Sequence, residues 1–216
     1  MSATRSLPAG LEAIAFDWGG VFTEGTFDST AHARLAELHG LPAAAVEPHY
    51  LRLMEEFELG LIDLPEFHAR VQAAVGGPSN LAEFRATFLG AVRERAAMYD
   101  LLASLPADLT VGVLSNNVPE LCDLVRDDPR MRRVNAFVFS NEIHARKPDP
   151  AAYAALSAAL NLPPSAILFV DDNPVNVAAC RELGFVGLLL DDIPGFAARW
   201  RETLPDLPLP AAFPPA

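Results

Sequence analysis

The 216 residues are 51% apolar and carry a net charge of −12, enough to build one large domain or a core with a modest insertion. That acidity argues against a sequence-independent grip on DNA or RNA, which needs clustered lysine and arginine. No run approaches the ~20 apolar residues that span a bilayer, and the N-terminus lacks the pattern of a secretory signal.

Two cysteines, Cys122 and Cys180, stand far apart, each in a helix-like stretch and outside any disulfide or metal-ligand spacing. A reduced, soluble, cytoplasmic protein is the expectation. The first element is "LEAIAF" (11–16), a short and wholly apolar run of the kind that forms a strand buried on both faces. No strand-like run follows until about residue 97. Instead Val46, Tyr50, Leu53 and Phe57 share one helical face, as do Phe67, Val71 and Ala74, and then Leu81, Phe84, Phe88 and Val92. That interval is too long for a crossover helix, so residues 24–97 read as a helical insertion hanging over the end of the first strand.

Beyond it the strand texture returns in "LTVGVL" (109–114), "AFVF" (136–139), "AILFV" (166–170) and "FVGLLL" (185–190). Between these runs the spacing is helical, with Val118, Leu121, Leu124 and Val125 on one face and Tyr153, Leu156 and Leu160 on another. Strands alternating with helices predict βαβ units in a doubly wound, parallel α/β sheet. The ending "LPDLPLPAAFPPA" cannot continue a helix and is expected to be extended or loosely packed.

Polar residues fall at the carboxyl ends of these strands: Asp17 after "IAF", Ser115 and Asn116 after "VGVL", and Asp171 and Asp172 after "ILFV". Any one of them is an ordinary strand-ending turn or helix cap. Several at one edge of a parallel sheet, where ligands bind, point to a site. Three carboxylates offer the hard oxygens that Mg2+ prefers. A hydroxyl and backbone N–H groups at a strand-to-helix turn suit phosphate oxygens. Lys147, in "ARKPDP", supplies a flexible point charge.

The segments "AIAFDWGGVF", "GVLSNN", "RKPDP" and "VDDNPVN" occur in this order, each at a strand end or the loop after it. Together they resemble the four motifs of the haloacid dehalogenase-like (HAD) hydrolase superfamily, over nearly the whole chain. The resemblance implies a Rossmann-like core from residues 1–23 and 98–216, with residues 24–97 as an inserted α-helical cap. It implies that Asp17 is a nucleophile that takes the phosphoryl group of a small phosphorylated metabolite, of sugar-phosphate type, as an aspartyl-phosphate. Ser115, helped by Asn116, would bind a phosphate oxygen, and Lys147 would hold the phosphate and Asp17 together. Asp17, Asp171, Asp172 and the backbone carbonyl of Gly19 would organise Mg2+. Asn176 would support that loop, or be a plain helix-surface residue.

The departure is Gly19, where phosphatases of this superfamily carry a second Asp for proton transfer, a group worth ~10^2 to 10^4 in rate. Three readings follow. One is a phosphatase that uses a good leaving group or a substitute acid, for which Glu24 and His144 are candidates. The second is a 2-haloacid dehalogenase, which needs no such proton and no metal. The third is a weakly active or non-catalytic module that binds a phospho-ligand. None of the three implies a nucleic-acid or membrane partner.

Overall fold

The computed structural model describes residues 7–24, 27–76 and 80–215. Its centre is a five-stranded sheet of β1 (Ala13–Phe16), β2 (Thr110–Ser115), β3 (Ala136–Phe139), β4 (Ile167–Asp171) and β5 (Val186–Leu189). The strands run parallel in the order β3-β2-β1-β4-β5. Successive strands step outward from β1 to β3, and the chain then returns to the other side of β1 for β4. The edge between β1 and β4 is therefore the switch point where a crevice opens at the carboxyl ends.

The strands are apolar but for Thr110 at the start of β2 and the polar carboxyl ends Ser115 and Asp171, because both of their faces are covered. Ile14 and Phe16 enter one buried cluster while Ala13 and Ala15 enter the other. The first cluster also takes Leu101 and Leu102 of α5 (Ala96–Ser104), Leu121 and Val125 of α6 (Pro119–Asp127), and Phe196 and Trp200 of α10 (Ile193–Thr203). The second takes Tyr153 and Leu156 of α8 (Pro150–Leu160) and Cys180 of α9 (Pro174–Glu182). These are the two layers of a doubly wound α/β fold. A single helical turn, α7 (Ser140–Ile143), follows β3.

The predicted insertion is helical: α1 (Phe27–His39), α2 (Ala43–Glu58), α3 (Leu64–Val75) and α4 (Leu81–Leu89). It leaves and rejoins the core side by side, through an antiparallel bridge between Thr23 and Glu94, so the return lies slightly before residue 97. Local chemistry starts its helices. Asp63 accepts from Glu66 N (2.9 Å) ahead of α3, and Asn80 accepts from Glu83 N (2.9 Å) ahead of α4. The helices close on an aromatic knot in which Phe67 stacks on Phe57 (4.9 Å) and meets Tyr50, Phe84 and Phe88 edge-on. This knot is continuous with the sheet core through Val21 and Phe22.

Some expected core positions lie outside. Leu81 and Leu124 are exposed, and so is Ala74, whose place is taken by the partly buried Val75. The proline-rich ending is neither extended nor loose: it makes two turns, closed by Leu207 N to Leu204 O and Phe213 N to Pro210 O (3.0 Å each), Leu207 and Phe213 are buried, and Trp200 Nε1 donates to Leu207 O (2.8 Å). Its apolar side chains cap α10, and tertiary packing replaces the helical bonds that proline forbids. No described helix is long and apolar enough to cross a membrane.

Phe67 is fully buried at the centre of the cap. Phe67→Ala is expected to destabilise the protein by about 3–5 kcal/mol, measured by urea unfolding, with the loss concentrated in cap amides in hydrogen exchange.

Candidate active site

Asp17 follows β1, and its backbone N–H donates to Val170 O of β4 (2.8 Å), which fixes it in the crevice at the switch point. Its Oδ1 accepts from Trp18 N (2.7 Å) and its Oδ2 pairs with Lys147 Nζ (2.9 Å). The same ammonium pairs with Asp171 Oδ2 at 2.7 Å. Lys147 is held from behind as well. The side chain of Asn116 donates to Lys147 O (3.0 Å) and accepts from Lys147 N (2.8 Å), gripping both sides of that residue's backbone.

Asp171 is fully buried and heavily bonded. Its Oδ1 accepts from Asn173 N (2.8 Å), and Asn176 Nδ2 reaches both of its oxygens (3.2 and 3.1 Å). Asn176 is held in turn, since Tyr153 Oη donates to its carbonyl (2.8 Å). Pro174 at the first position of α9 and Asn173 capping Val175 N (2.9 Å) start the helix that carries Asn176. Asp171 therefore orients Lys147, while Asp172 stands on the cavity wall with Asp17 and Gly19.

Asp17, Asp171 and Asp172 each offer an oxygen within 4.8 Å of the others. Three carboxylates so close carry more negative charge than one ammonium offsets. Burial, reinforced by Asp171 and Asp172, pushes Asp17 up to about 7 despite Lys147. Burial and Asp171 push Asp172 up to about 6. Burial alone would lower Lys147, yet Asp17 and Asp171 hold it above its ordinary value. Hard, crowded, under-compensated oxygens are what a divalent cation with oxygen preference fits. The neighbouring backbone is shaped to this cluster. A Cβ on Gly20, at φ +73°, would lie 2.0 Å from Asp172 Oδ2.

A family profile described as haloacid dehalogenase-like hydrolase matches residues 11–184, from before β1 to the end of α9. The chain belongs to that family. It is 29% identical to Flavin mononucleotide hydrolase 1 of Arabidopsis thaliana over 143 residues, 66% of this chain and 58% of that protein. The matched region thus spans less than two thirds of that relative's length. It is 24% identical to D-ribitol-5-phosphate phosphatase of Bacteroides thetaiotaomicron, over 88% of this chain and 95% of that one. Among solved structures, a HAD-family enzyme of Bacteroides thetaiotaomicron in complex with magnesium and inorganic phosphate superposes with a TM-score of 0.68 at 18% identity, covering 83% of this chain and 93% of that one. That likeness is one of fold.

Within this HAD-like hydrolase the expected site residues converge at one edge, with different surroundings for each. Ser115 is buried, and its hydroxyl finds no hydrogen-bond partner among the described residues. The Asn116 side chain is occupied by the backbone of Lys147 and so works as a positioning group. Asn176 supports Asp171 and is not a surface residue. Glu24 and His144 are exposed and absent from the cavity wall; His144 Nδ1 lies 2.8 Å from Leu59 O. Neither supplies the acid that Gly19 lacks.

The sequence reading missed four polar wall residues: Glu58 at the end of α2, Asn117, Arg146 beside Lys147, and Asn173. Arg146 Nη1 donates to Glu55 Oε1 (2.9 Å) and Nη2 to Glu58 Oε2 (2.6 Å), tying the cap to the loop that carries Lys147. Ser140 Oγ adds a second tie, accepting from Asn117 N (3.0 Å) and donating to Glu58 O (2.5 Å). "RK" and "NN" are visible doublets, but Glu58 lies 88 residues from Arg146 and only the fold pairs them.

The two adjacent glycines predict opposite outcomes. Nothing lies within 4 Å of a Cβ placed on Gly19, whereas Gly20 is both left-handed and in contact with Asp172. Gly19→Ala should shift stability by no more than about 0.5 kcal/mol. Gly20→Ala should lose at least about 1 kcal/mol from backbone strain alone, with weaker Mg2+ binding as Asp172 is displaced. Thermal melts with and without Mg2+ measure both.

Proposed function

We propose that this hydrolase is a Mg2+-dependent phosphatase of small phosphorylated metabolites, of sugar-phosphate type, acting through an aspartyl-phosphate on Asp17. The observation that carries the reading is the convergence of the Asp17 carboxylate, the Lys147 ammonium and the Asp172 carboxylate on one cavity. A nucleophile, a fixed positive charge and oxygen ligands for a cation are the parts that phosphoryl transfer to a side chain requires. The curated relatives supply independent support, since flavin mononucleotide and D-ribitol 5-phosphate, in their names, are both phosphate monoesters.

In the first step an Asp17 oxygen bonds to phosphorus while the bond from phosphorus to the leaving oxygen breaks. In the second, water attacks the same phosphorus, freeing phosphate and restoring the Asp17 carboxylate. Lys147 offsets charge at both Asp17 and the phosphoryl oxygens, and the unpaired Ser115 hydroxyl donates to one of those oxygens. Asn116, Asp171 and Asn176 hold Lys147 and the acidic loop in register. Asp17, Asp172 and the Gly19 carbonyl, with Asp171 behind them, would hold Mg2+, which neutralises the phosphoryl group and polarises it toward attack. Residues 24–97 act as a cap that shields the leaving group. Two free, buried cysteines suit the reducing cytoplasm.

The cavity encloses about 170 Å3, below the ~300–1,000 Å3 of pockets for drug-sized ligands. That favours a small substrate over one the size of a flavin nucleotide. Without a carboxyl at Gly19, turnover favours leaving groups that need little protonation, such as acyl or anomeric phosphates. A dehalogenase uses no metal, so it would leave the cavity-facing Asp172 without a purpose, although Asp171 would still orient Lys147.

Purified protein should release phosphate from a panel of sugar and acyl phosphates with Mg2+, and lose this with EDTA or in Asp17→Asn. Halide release from a 2-haloacid that persists in EDTA would overturn the reading in favour of a dehalogenase. Trapping no aspartyl-phosphate and finding no substrate would favour a binding module. The open space at Gly19 yields a sharper test. Gly19→Asp should raise kcat on an unactivated sugar phosphate about tenfold or more, given the ~10^2 to 10^4 that a positioned acid contributes.

A further inference from the structure

The cavity wall carries polar groups that the chemistry at phosphorus does not use. Asn117 is 3% exposed and on the wall, yet its amide Nδ2 has no hydrogen-bond partner among the described residues. Its other polar atoms are spoken for: Oδ1 accepts from Val118 N (3.0 Å) and the backbone N–H donates to Ser140 Oγ (3.0 Å). A buried amide donor left unpaired is costly, and on the wall of a cavity a ligand oxygen can satisfy it. Glu58 and Arg146 stand on the same wall. Trp18, Met54, Val118 and Leu121 complete it with apolar surface suited to the C–H faces of a carbon chain.

Charge limits what can sit there. The wall's cationic side chains among the described residues are Lys147 and Arg146. Lys147 is committed to Asp17 and Asp171, and both terminal nitrogens of Arg146 to Glu55 and Glu58, which leaves its buried Nε without a partner among the described residues. A second anionic group on the substrate would meet a guanidinium already neutralised by two carboxylates and would lie near that of Glu58, an expensive arrangement in a partly desolvated site. A hydroxyl group suits the same atoms: its oxygen accepts from Asn117 and its hydrogen is donated to Glu58.

We propose that Asn117 and Glu58, with Arg146 fixing Glu58, form a subsite that reads hydroxyl groups on the leaving alcohol. The substrate is then the phosphate monoester of a small, uncharged, hydroxylated alcohol. This rests on the phosphatase reading above and adds to it the side of the cavity away from phosphorus.

A matched set of ligands tests it: sn-glycerol 3-phosphate, n-propyl phosphate, which has the same carbon chain without hydroxyls, and 3-phosphoglycerate, which has a carboxylate in place of the terminal hydroxymethyl group. Binding to the full chain carrying Asp17→Asn, with Mg2+ present, is measured by calorimetry, and kcat/KM is measured on the parent protein. Glycerol phosphate should be preferred over propyl phosphate, and over phosphoglycerate, by roughly tenfold each, the scale of one to two buried hydrogen bonds. Asn117→Ala and, separately, Glu58→Gln should bring the glycerol-to-propyl ratio to within about threefold of unity. The ratio discriminates recognition from structural damage, because a distorted phosphate pocket weakens both ligands together. Equal binding of glycerol and propyl phosphate, or phosphoglycerate binding as well as glycerol phosphate, would overturn the subsite while leaving phosphatase activity intact. A retained preference with no phosphate release from the parent protein, on glycerol phosphate or on the acyl and anomeric phosphates that suit a site without a carboxyl at Gly19, would strike the phosphatase reading and leave the subsite standing. Binding of none of the three would overturn both.

Discussion

Lys147 is the constraint on which the site depends. Its ammonium is buried between the carboxylates of Asp17 and Asp171, at 2.9 and 2.7 Å, and removing it would leave two buried carboxylates with no cation between them. Such a buried pair is weak evidence for stability, since desolvation offsets most of the attraction. Its value is positional. The ammonium draws together the ends of β1 and β4 and the loop before α8, which the sheet brings near each other but does not itself align.

The surroundings make that arrangement affordable. Asn116 fixes the Lys147 backbone from β2, Asn176 and the Asn173 N–H share the charge on Asp171, and Tyr153 anchors Asn176. Each added hydrogen bond narrows the range of positions open to Lys147, so its charge meets a phosphoryl group already oriented. Asp172 is left on the cavity wall with fewer constraints.

The cap joins the same system through a neighbouring residue. Arg146, next in sequence to Lys147, grips Glu55 and Glu58 of α2, and Ser140 links the Glu58 carbonyl to the loop after β2. The helix α2 is therefore tied to the loop that carries the lysine, and its Met54 and Glu58 also line the cavity.

Much of this was legible in the sequence. Five apolar runs, each buried on both faces, determine a parallel sheet, and polar residues at their carboxyl ends mark the edge where Asp17, Ser115, Asn116, Asp171 and Asp172 gather. The helical spacing of Tyr50, Phe57, Phe67 and Phe84 determined an aromatic insertion. These are local patterns, repeating every two or 3.6 residues, and sequence order preserves them. Only the tertiary structure decided that Asn116 serves Lys147 and that Asp172, not Asp171, faces the cavity. It also packed the proline-rich ending and paired Glu58 with Arg146. Those outcomes depend on which groups distant in the chain arrive within 3 Å of each other, and no local period encodes that. The pair of glycines after Asp17 shows both sides: the sequence marks Gly19 as lacking a carboxyl, and the fold alone distinguishes its open space from the crowding that makes Gly20 a glycine.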